Sequence, residues 1–199
     1  MNDFLVANPT RCIGCRTCEI ACVLAHGSPD AIVTGEIDNF SPRLRVIKTV
    51  KVSAPVQCRQ CEDAPCANVC PTRAIVSQGG SIQVVPEACI GCKSCLMACP
   101  FGAMDIAPRL LAGRRLEQPG LKVVHEAGAS GKDTLVALKC DLCQGRPEGP
   151  ACAGVCPTDA FTPIRGATMQ ASVAAKRKTR AAELALLAAG APLGGQDHA

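Results

Sequence analysis

The chain has 199 residues, a length that suits one domain or two small halves sharing an interface, but it contains no Trp, no Tyr and only 4 Phe. This shortage of large side chains argues against an extensive apolar core, and against a nucleic-acid-binding protein that stacks aromatic rings on bases. The formal net charge of +4 counts every thiol as neutral, so it does not indicate a nucleic-acid or anionic-lipid partner.

The N-terminal segment, Met1 to Leu5, is not a charged leader followed by a long apolar stretch, so no secretory signal is expected. No run approaches the roughly 20 consecutive apolar residues that are needed to cross a bilayer. We therefore expect a cytoplasmic protein with no direct membrane insertion.

Three local elements are predicted in the first half of the chain. A short helix is expected to continue from the first cysteine group to about Gly27, because Gly commonly terminates a helix. Residues 43 to 52 alternate well enough to predict one strand. Residues 74 to 85 predict a β-hairpin, since two apolar runs flank a Gly-rich turn at Gly79 and Gly80.

The second half contains a connector from about 105 to 139 and a tail without cysteines. Two Val/Leu-rich pieces of the connector, 121 to 125 and 134 to 138, fit a second hairpin and a surface excursion equally well. Residues 172 to 189 have a helical composition, rich in Ala, Leu, Lys and Arg. The basic residues of this tail suit an acidic partner, although a solvated helix is the simpler interpretation.

Sixteen cysteines dominate the sequence, and they fall into four groups of four with none left over. The groups are Cys12, Cys15, Cys18 and Cys22; Cys58, Cys61, Cys66 and Cys70; Cys89, Cys92, Cys95 and Cys99; and Cys140, Cys143, Cys152 and Cys156. The first and third groups have the bacterial ferredoxin spacing, in which three thiolates converge on one cluster and the fourth ligates its neighbour. The second and fourth groups have loops inserted before the third ligand. The pattern predicts four [4Fe-4S] clusters.

Three of the four groups end in the same Cys-Pro phrase, which is an internal repeat. The repeats run from Cys70 to Ala74, from Cys99 to Ala103 and from Cys156 to Ala160. Pro after the last ligand stops the preceding helical turn, and we expect the small Ala and the apolar residue after it to pack on a cluster. Each bound cluster adds roughly two negative charges, so the loaded chain carries about −4.

Two other interpretations of the cysteines were weighed. Disulfides are disfavoured because the cysteines lie too close together, in Cys-x-x-Cys steps, to form a framework of pairs. Tetrahedral zinc is disfavoured because zinc sites normally use two such pairs separated by a long loop, whereas compact triplets followed by Cys-Pro suit cubanes. A zinc-stabilised scaffold or a nucleic-acid-associated protein is kept as the alternative from another functional class.

Four motifs carry a resemblance to a known family. They are Cys-Ile-Gly-Cys-Arg-Thr-Cys-Glu-Ile-Ala-Cys from Cys12, Cys-Glu-Asp-Ala-Pro-Cys from Cys61, Cys-Ile-Gly-Cys-Lys-Ser-Cys from Cys89, and Lys-Cys-Asp-Leu-Cys from Lys139. Over about residues 1 to 165 the chain resembles the four-cluster, ferredoxin-type electron-transfer subunits of the dimethyl sulfoxide reductase iron–sulfur subunit family. It is most similar to the small iron–sulfur subunits of formate hydrogenlyase and formate dehydrogenase H.

The resemblance implies an α+β fold in which two bacterial-ferredoxin-like modules are nested, with short β-hairpins, short helices and a C-terminal helical tail. The outer module would comprise 1–40 with 136–165, the inner module 41–104, the connector 105–135 and the tail 166–199. The implied ligand sets are Cys12, Cys15, Cys18 and Cys156; Cys22, Cys140, Cys143 and Cys152; Cys58, Cys61, Cys66 and Cys99; and Cys70, Cys89, Cys92 and Cys95.

Clusters with four thiolates have no open iron for substrate, so we expect electron transfer and no catalytic residue. Four basic residues lie beside the cluster ligands: Arg16, Arg59, Lys93 and Lys139. Each would raise the reduction potential of the neighbouring cluster if its charge were not solvated. His26, His125 and His198 are not expected to be ligands.

The expected partners are a molybdenum or tungsten formate dehydrogenase and a hydrogenase or other acceptor. A carrier between carbon monoxide dehydrogenase and a hydrogenase is the alternative within electron transfer, since its fold and clusters would be alike.

Overall fold

The computed structural model of the chain describes residues 1–27, 40–111, 114–125 and 128–188. The strands in this part are short and the first four helices have 4 to 10 residues. In chain order the elements are β1 (Phe4–Ala7), α1 (Thr17–His26), β2 (Leu44–Lys48), β3 (Ser53–Gln57), α2 (Pro65–Asn68), β4 (Ile75–Gln78), β5 (Ser81–Val84), α3 (Ser94–Ala98), β6 (Asp105–Pro108), β7 (Leu110–Leu111), β8 (Arg114–Arg115), β9 (Glu117–His125), β10 (Gly128–Asp133), β11 (Leu135–Leu138), α4 (Ala151–Gly154), β12 (Phe161–Ile164) and α5 (Gly166–Ala188).

Every sheet in the described residues is a two-stranded antiparallel pair. The pairs are β1 with β12, β2 with β3, β4 with β5, β6 with β11, β7 with β8 and β9 with β10. The pairing of β1 with β12 joins opposite ends of the chain, with Phe4 opposite Ile164, and α1 lies against α4. The sequence therefore folds back so that its first and fourth cysteine groups come together.

Two small clusters of buried side chains form the core, and cysteines belong to both. The first cluster contains Leu5, Cys18, Cys22, Leu44, Val46, Cys152 and Phe161. The second contains Ala64, Ile75, Ile82, Cys95, Met104 and Ala137. Isolated two-stranded hairpins and helices of one turn are marginal in water, so these clusters alone supply little cohesion.

Several predicted elements are confirmed and one is wrong in extent. Helix α1 ends at His26, with the Gly27 N–H bonded to the Val23 carbonyl, and the hairpin of residues 74 to 85 is formed by β4 and β5. The predicted strand of residues 43 to 52 instead ends at Lys48. The chain reverses there because Thr49 and Val52 hydrogen-bond to each other, and it returns as β3.

The connector forms a hairpin, but the two Val/Leu-rich pieces, 121 to 125 and 134 to 138, do not pair with each other. β9 pairs with β10, whereas the piece at 134 to 138 forms β11 and pairs with β6. The tail forms helix α5, which starts six residues before the expected position, at Gly166. Residues 189–199 lie outside the described residues. No described helix combines the length and apolarity that crossing a membrane requires.

Glu19 in helix α1 is a buried carboxylate that the sequence did not single out. It is 6% exposed and accepts a hydrogen bond of 2.6 Å from the backbone N–H of Val46 in β2. It therefore ties the helix of the first cysteine group to the strand that follows.

We expect Glu19→Ala to lower the free energy of unfolding by about 1–3 kcal/mol, because the buried Val46 N–H would lose its acceptor. Glu19→Gln retains an acceptor oxygen and is the matched control. Thermal unfolding of the anaerobically purified protein measures both variants. Equal stability of the alanine variant and the unmodified chain would contradict this role for Glu19.

Candidate iron–sulfur centres

The loops of the first and third cysteine groups repeat one backbone conformation. Gly14 and Arg16 have φ of 69° and 64°, and Gly91 and Lys93 have φ of 67° and 68°. Alternate residues in the left-handed region curl the chain, so that successive cysteines face the same side. Gly91 is needed for a second reason, because a Cβ there would lie 2.6 Å from the Leu135 carbonyl oxygen.

The Cys-Pro repeats place a backbone donor on the last cysteine of each group. The N–H of the Ala four residues after the cysteine donates to its Sγ in all three repeats: Ala74 to Cys70 at 3.3 Å, Ala103 to Cys99 at 3.4 Å, and Ala160 to Cys156 at 3.3 Å. Hydrogen bonds to a sulfur stabilise its thiolate form. The sequence predicted small packing residues at these positions and missed this second role of the repeat.

One cavity is lined by cysteines from the two ends of the chain, and we call it site 1. It contains Cys12, Cys15, Cys18 and Cys156. Three of these cysteines belong to the first group, and the fourth arrives from the last group with the β1–β12 pairing. The cavity holds the same four residues as the first implied ligand set.

A second cysteine-lined cavity, site 4, lies in the other half of the molecule. It contains Cys70, Cys89, Cys92 and Cys95, with Ile75 and Ala137 among its walls. The Ala137 N–H donates to Cys89 Sγ at 3.4 Å, so strand β11 contributes a donor to this site. These four cysteines match the fourth implied set.

We call the surroundings of Cys22, Cys140, Cys143 and Cys152 site 2, where the thiols affect one another's pKa. Burial raises the pKa of Cys152, and repulsion from Cys140, Cys22 and Cys143 raises it further. Cys140 is also buried, which raises its pKa to about 12. In addition, the Arg43 N–H donates to Cys22 Sγ at 3.3 Å. Cys22 and Cys152 lie in one buried cluster of side chains, and Cys143 lies within 4.8 Å of His26, whose Nδ1 is 3.8 Å from Cys22 Sγ. A metal would remove the repulsion by binding the thiols as thiolates.

Site 3 shows the same behaviour among cysteines of the second and third groups. Burial raises the pKa of both Cys61 and Cys66, and repulsion from Cys58 and Cys99 adds to the shift in each. The Gln60 N–H donates to Cys58 Sγ at 3.4 Å. Cys66 and Cys99 also pack against the same buried cluster of side chains, so we assign Cys58, Cys61, Cys66 and Cys99 to site 3.

The four sites differ in their exposure. Sites 1 and 4 each have one exposed cysteine, Cys15 and Cys92, whereas every cysteine of sites 2 and 3 is buried or half-buried. The Thr17 hydroxyl bonds Cys15 Sγ at 3.4 Å and lowers the pKa of that thiol. Cys92 Sγ and Ser94 Oγ are hydrogen-bonded at 3.5 Å, and this bond lowers the pKa of Cys92. Sites 1 and 4 are therefore the two that reach the surface.

An ion-pair network beside site 2 was not predicted. His26 Nε2 contacts Asp141 Oδ1 at 2.9 Å, and Arg43 pairs with the other oxygen of Asp141. Burial raises the pKa of Asp141, but the His26 hydrogen bond and the charge of Arg43 bring it down to about 2. Burial lowers the pKa of His26, but its bond to Asp141 raises it to about 12. Since Cys143 lies within 4.8 Å of both groups, the network directly flanks site 2.

The side chain of His125 and the whole of His198 lie outside the described residues. Of the basic residues beside ligands, Arg16, Arg59 and Lys93 are exposed, as expected for solvated charges. Lys139 differs from them because it is only 2% exposed. Lys139 is therefore the one of the four whose charge is not solvated.

The donor chemistry of the sites fits iron–sulfur clusters. Four cysteines line the cavity of site 1 and four line that of site 4. Backbone N–H groups point at the sulfurs of Cys22, Cys58, Cys70, Cys89, Cys99 and Cys156. All-thiolate ligation with amide donors to sulfur is the environment of a [4Fe-4S] cluster.

Comparison with known proteins points the same way. Residues 82–105 match the family model of the 4Fe-4S binding domain. The chain is 44% identical to the electron transport protein HydN of Escherichia coli over 183 residues, which cover 90% of this chain and 98% of HydN. It is 37% identical to hydrogenase-4 component A of Escherichia coli, with 91% of each chain covered. It is also 40% identical to formate hydrogenlyase subunit 2 of that organism, with 81% of each covered.

Identity of this extent over nearly the whole length goes beyond a shared cysteine motif. The matched segments span 81 to 91% of this chain. The chain belongs to the family of ferredoxin-type iron–sulfur electron-transfer proteins that includes HydN, hydrogenase-4 component A and formate hydrogenlyase subunit 2.

Proposed function

We propose that the chain is a non-catalytic electron-transfer subunit that holds four [4Fe-4S] clusters, one in each of sites 1 to 4, with the sixteen cysteines as ligands. The observation that carries this proposal is that four cysteines, drawn from two different sequence groups, line one cavity in site 1 and again in site 4. When bound, a cluster with four thiolate ligands takes up and releases one electron and offers no open iron to a substrate. Keeping sixteen thiols available for iron suits the reducing cytoplasm.

The chain's own residues divide the sites into two inner and two outer ones. Sites 2 and 3 have no exposed cysteine, whereas Cys15 and Cys92 are exposed and bring sites 1 and 4 to the surface. Beside each exposed cysteine lies an Ile whose side chain is 64% exposed, Ile13 in the first group and Ile90 in the third. An exposed apolar side chain next to an exposed ligand suits a docking surface. We assign one redox partner to each of these two loops.

The proposed partners are a molybdenum or tungsten formate dehydrogenase as donor and a hydrogenase or other redox protein as acceptor. Two relatives carry the names hydrogenase-4 component A and formate hydrogenlyase subunit 2, which supports partners of this kind. Affinity purification of the tagged chain from anaerobically grown cells tests the assignment. Co-purification of a molybdopterin enzyme or a nickel enzyme is expected, and recovery of neither would contradict it.

The two docking loops can be tested separately. We expect Ile13→Glu and Ile90→Glu each to slow electron exchange with one partner about tenfold, equivalent to ~1.4 kcal/mol of docking free energy, and to leave exchange with the other unchanged. Val124→Glu is the matched control, because Val124 is an apolar residue 82% exposed on the β9–β10 hairpin. Stopped-flow reduction by each purified partner measures the rates. A control variant that slows exchange as much as the Ile variants would contradict the assignment.

A further inference from the structure

Lys139 is a buried cation at the end of strand β11. Its Nζ donates to two backbone carbonyls, that of Ile82 in β5 and that of Cys140 at 2.7 Å. No Asp or Glu carboxylate forms an ion pair with Lys139 within the described ranges. Because burying a charge without a counter-charge is costly, something in its surroundings must compensate it.

The surroundings of Lys139 belong to two different sites. Cys140, the next residue, lies in site 2, and the charge of Lys139 opposes the rise in the pKa of that thiol. The same charge opposes the rise in the pKa of Cys61 and of Cys66, which lie in site 3. The contacts agree, because Lys139 Nζ bonds the Cys140 carbonyl, and Gln60, which bonds the same carbonyl, donates through its own N–H to Cys58 Sγ in site 3.

Gln60 holds Lys139 in this position. Gln60 Nε2 donates to the Cys140 carbonyl at 2.9 Å, and its Oε1 accepts from the Ile82 N–H at 2.8 Å, so it bridges the same two residues as Lys139. Gln60 is 2% exposed and its own N–H donates to Cys58 Sγ in site 3. The ammonium is thus fixed between sites 2 and 3 by a buried hydrogen-bond network.

We propose that Lys139 is a shared counter-charge for sites 2 and 3, which raises the reduction potential of the cluster in each. The physical reason is that burial disfavours the more negative, reduced form of a cluster, so inner sites would otherwise resist accepting an electron. A fixed positive charge between the two inner clusters offsets this effect and leaves the reduction potentials of the outer clusters largely unchanged. The inference rests on the proposed function, because it requires clusters in sites 2 and 3.

The test is a redox titration of the anaerobically purified holoprotein, followed by electron paramagnetic resonance. Lys139→Gln retains a hydrogen-bond donor but removes the charge. We expect it to shift the one-electron equilibrium against reduction roughly tenfold at two clusters, about 59 mV downward, and to leave the other two near their original potentials. The signals that disappear in Cys152→Ala and Cys66→Ala variants identify sites 2 and 3.

Two further variants keep the proposal falsifiable. Lys93→Gln removes an exposed charge beside Cys92 and is the matched control, for which solvent screening predicts a much smaller shift. Gln60→Glu is nearly isosteric and sets a carboxylate beside the ammonium, so it should lower the same two potentials as Lys139→Gln. Unchanged potentials at sites 2 and 3 in both inner variants, or equal shifts at all four clusters, would overturn the proposal.

The unmodified protein separates this inference from the proposed function. If it contains four clusters and the inner variants leave every potential unchanged, only the role of Lys139 fails. If it contains no clusters, the proposed function itself fails, and the buried Lys139 then lacks the counter-charge inferred here.

Discussion

Replacing Cys66 and Cys99 together by alanine is expected to leave three intact clusters, whereas replacing Cys66 and Cys70 together is expected to leave two. Cys66 and Cys99 come from different sequence groups, but both are assigned to site 3 because they pack against the same buried cluster. Cys66 and Cys70 are neighbours in one group, but Cys70 lines site 4. The first pair therefore damages one site and the second pair damages two.

The comparison counts as intact only a [4Fe-4S] cluster with four thiolate ligands, so a site that retains three thiolates is scored as damaged whether it loses its cluster or keeps an altered one. Mössbauer spectroscopy of iron-57-labelled protein, with iron and acid-labile sulfide assays, counts the intact clusters. If each sequence group held its own cluster, the order would be reversed, with three clusters left after the Cys66 and Cys70 replacements. That reversed order would refute the nested ligand sets.

Removing iron from the protein is expected to unfold most of it. The buried clusters of side chains include Cys18, Cys22, Cys95 and Cys152, so the metal sites lie inside the core itself. Without metal, repulsion and burial act on the converging thiols, as in Cys18, whose pKa burial raises to about 12. The remaining apolar contacts join two-stranded hairpins and one-turn helices, which are marginal alone. The free energy of metal binding therefore contributes directly to the free energy of folding.

Hydrogen exchange followed by mass spectrometry, before and after anaerobic chelation, measures this effect. Peptides covering β5 and β11, which contain the buried Ile82 and Val136, should lose their protection. Helix α5 serves as an internal control, because nearly all of it is exposed and its exchange should change little. Retained protection in β5 and β11 after the iron is gone would show that an apolar core holds the fold, contrary to this account.

The sequence predicted best those features that depend on local spacing. The end of α1 at Gly27 and the β4–β5 hairpin followed from single glycines and their apolar flanks, and the structure confirms both. The strand predicted for 43 to 52 was wrong in extent, because Thr49 and Val52 bond each other and alternation alone does not reveal that turn.

Long-range features were less accessible. The pairing of β1 with β12 brings Cys156 into site 1, and no local sequence pattern at Phe4–Ala7 predicts this pairing. The ligand sets came from family resemblance, and they stay a prediction although the cysteines gather as that resemblance implies. Lys139 illustrates the limit most clearly, since its sequence position beside a ligand is like that of the exposed Lys93. Burial separates the two, and burial depends on the packing of β5 and β11.

The central claim is that iron–sulfur clusters both hold this chain together and carry its electrons. Chemical assay of iron and acid-labile sulfide in protein purified without oxygen tests it most directly. We predict about sixteen iron and about sixteen sulfide per chain, as expected for four [4Fe-4S] clusters. Negligible sulfide, with zinc in place of iron, would contradict the account.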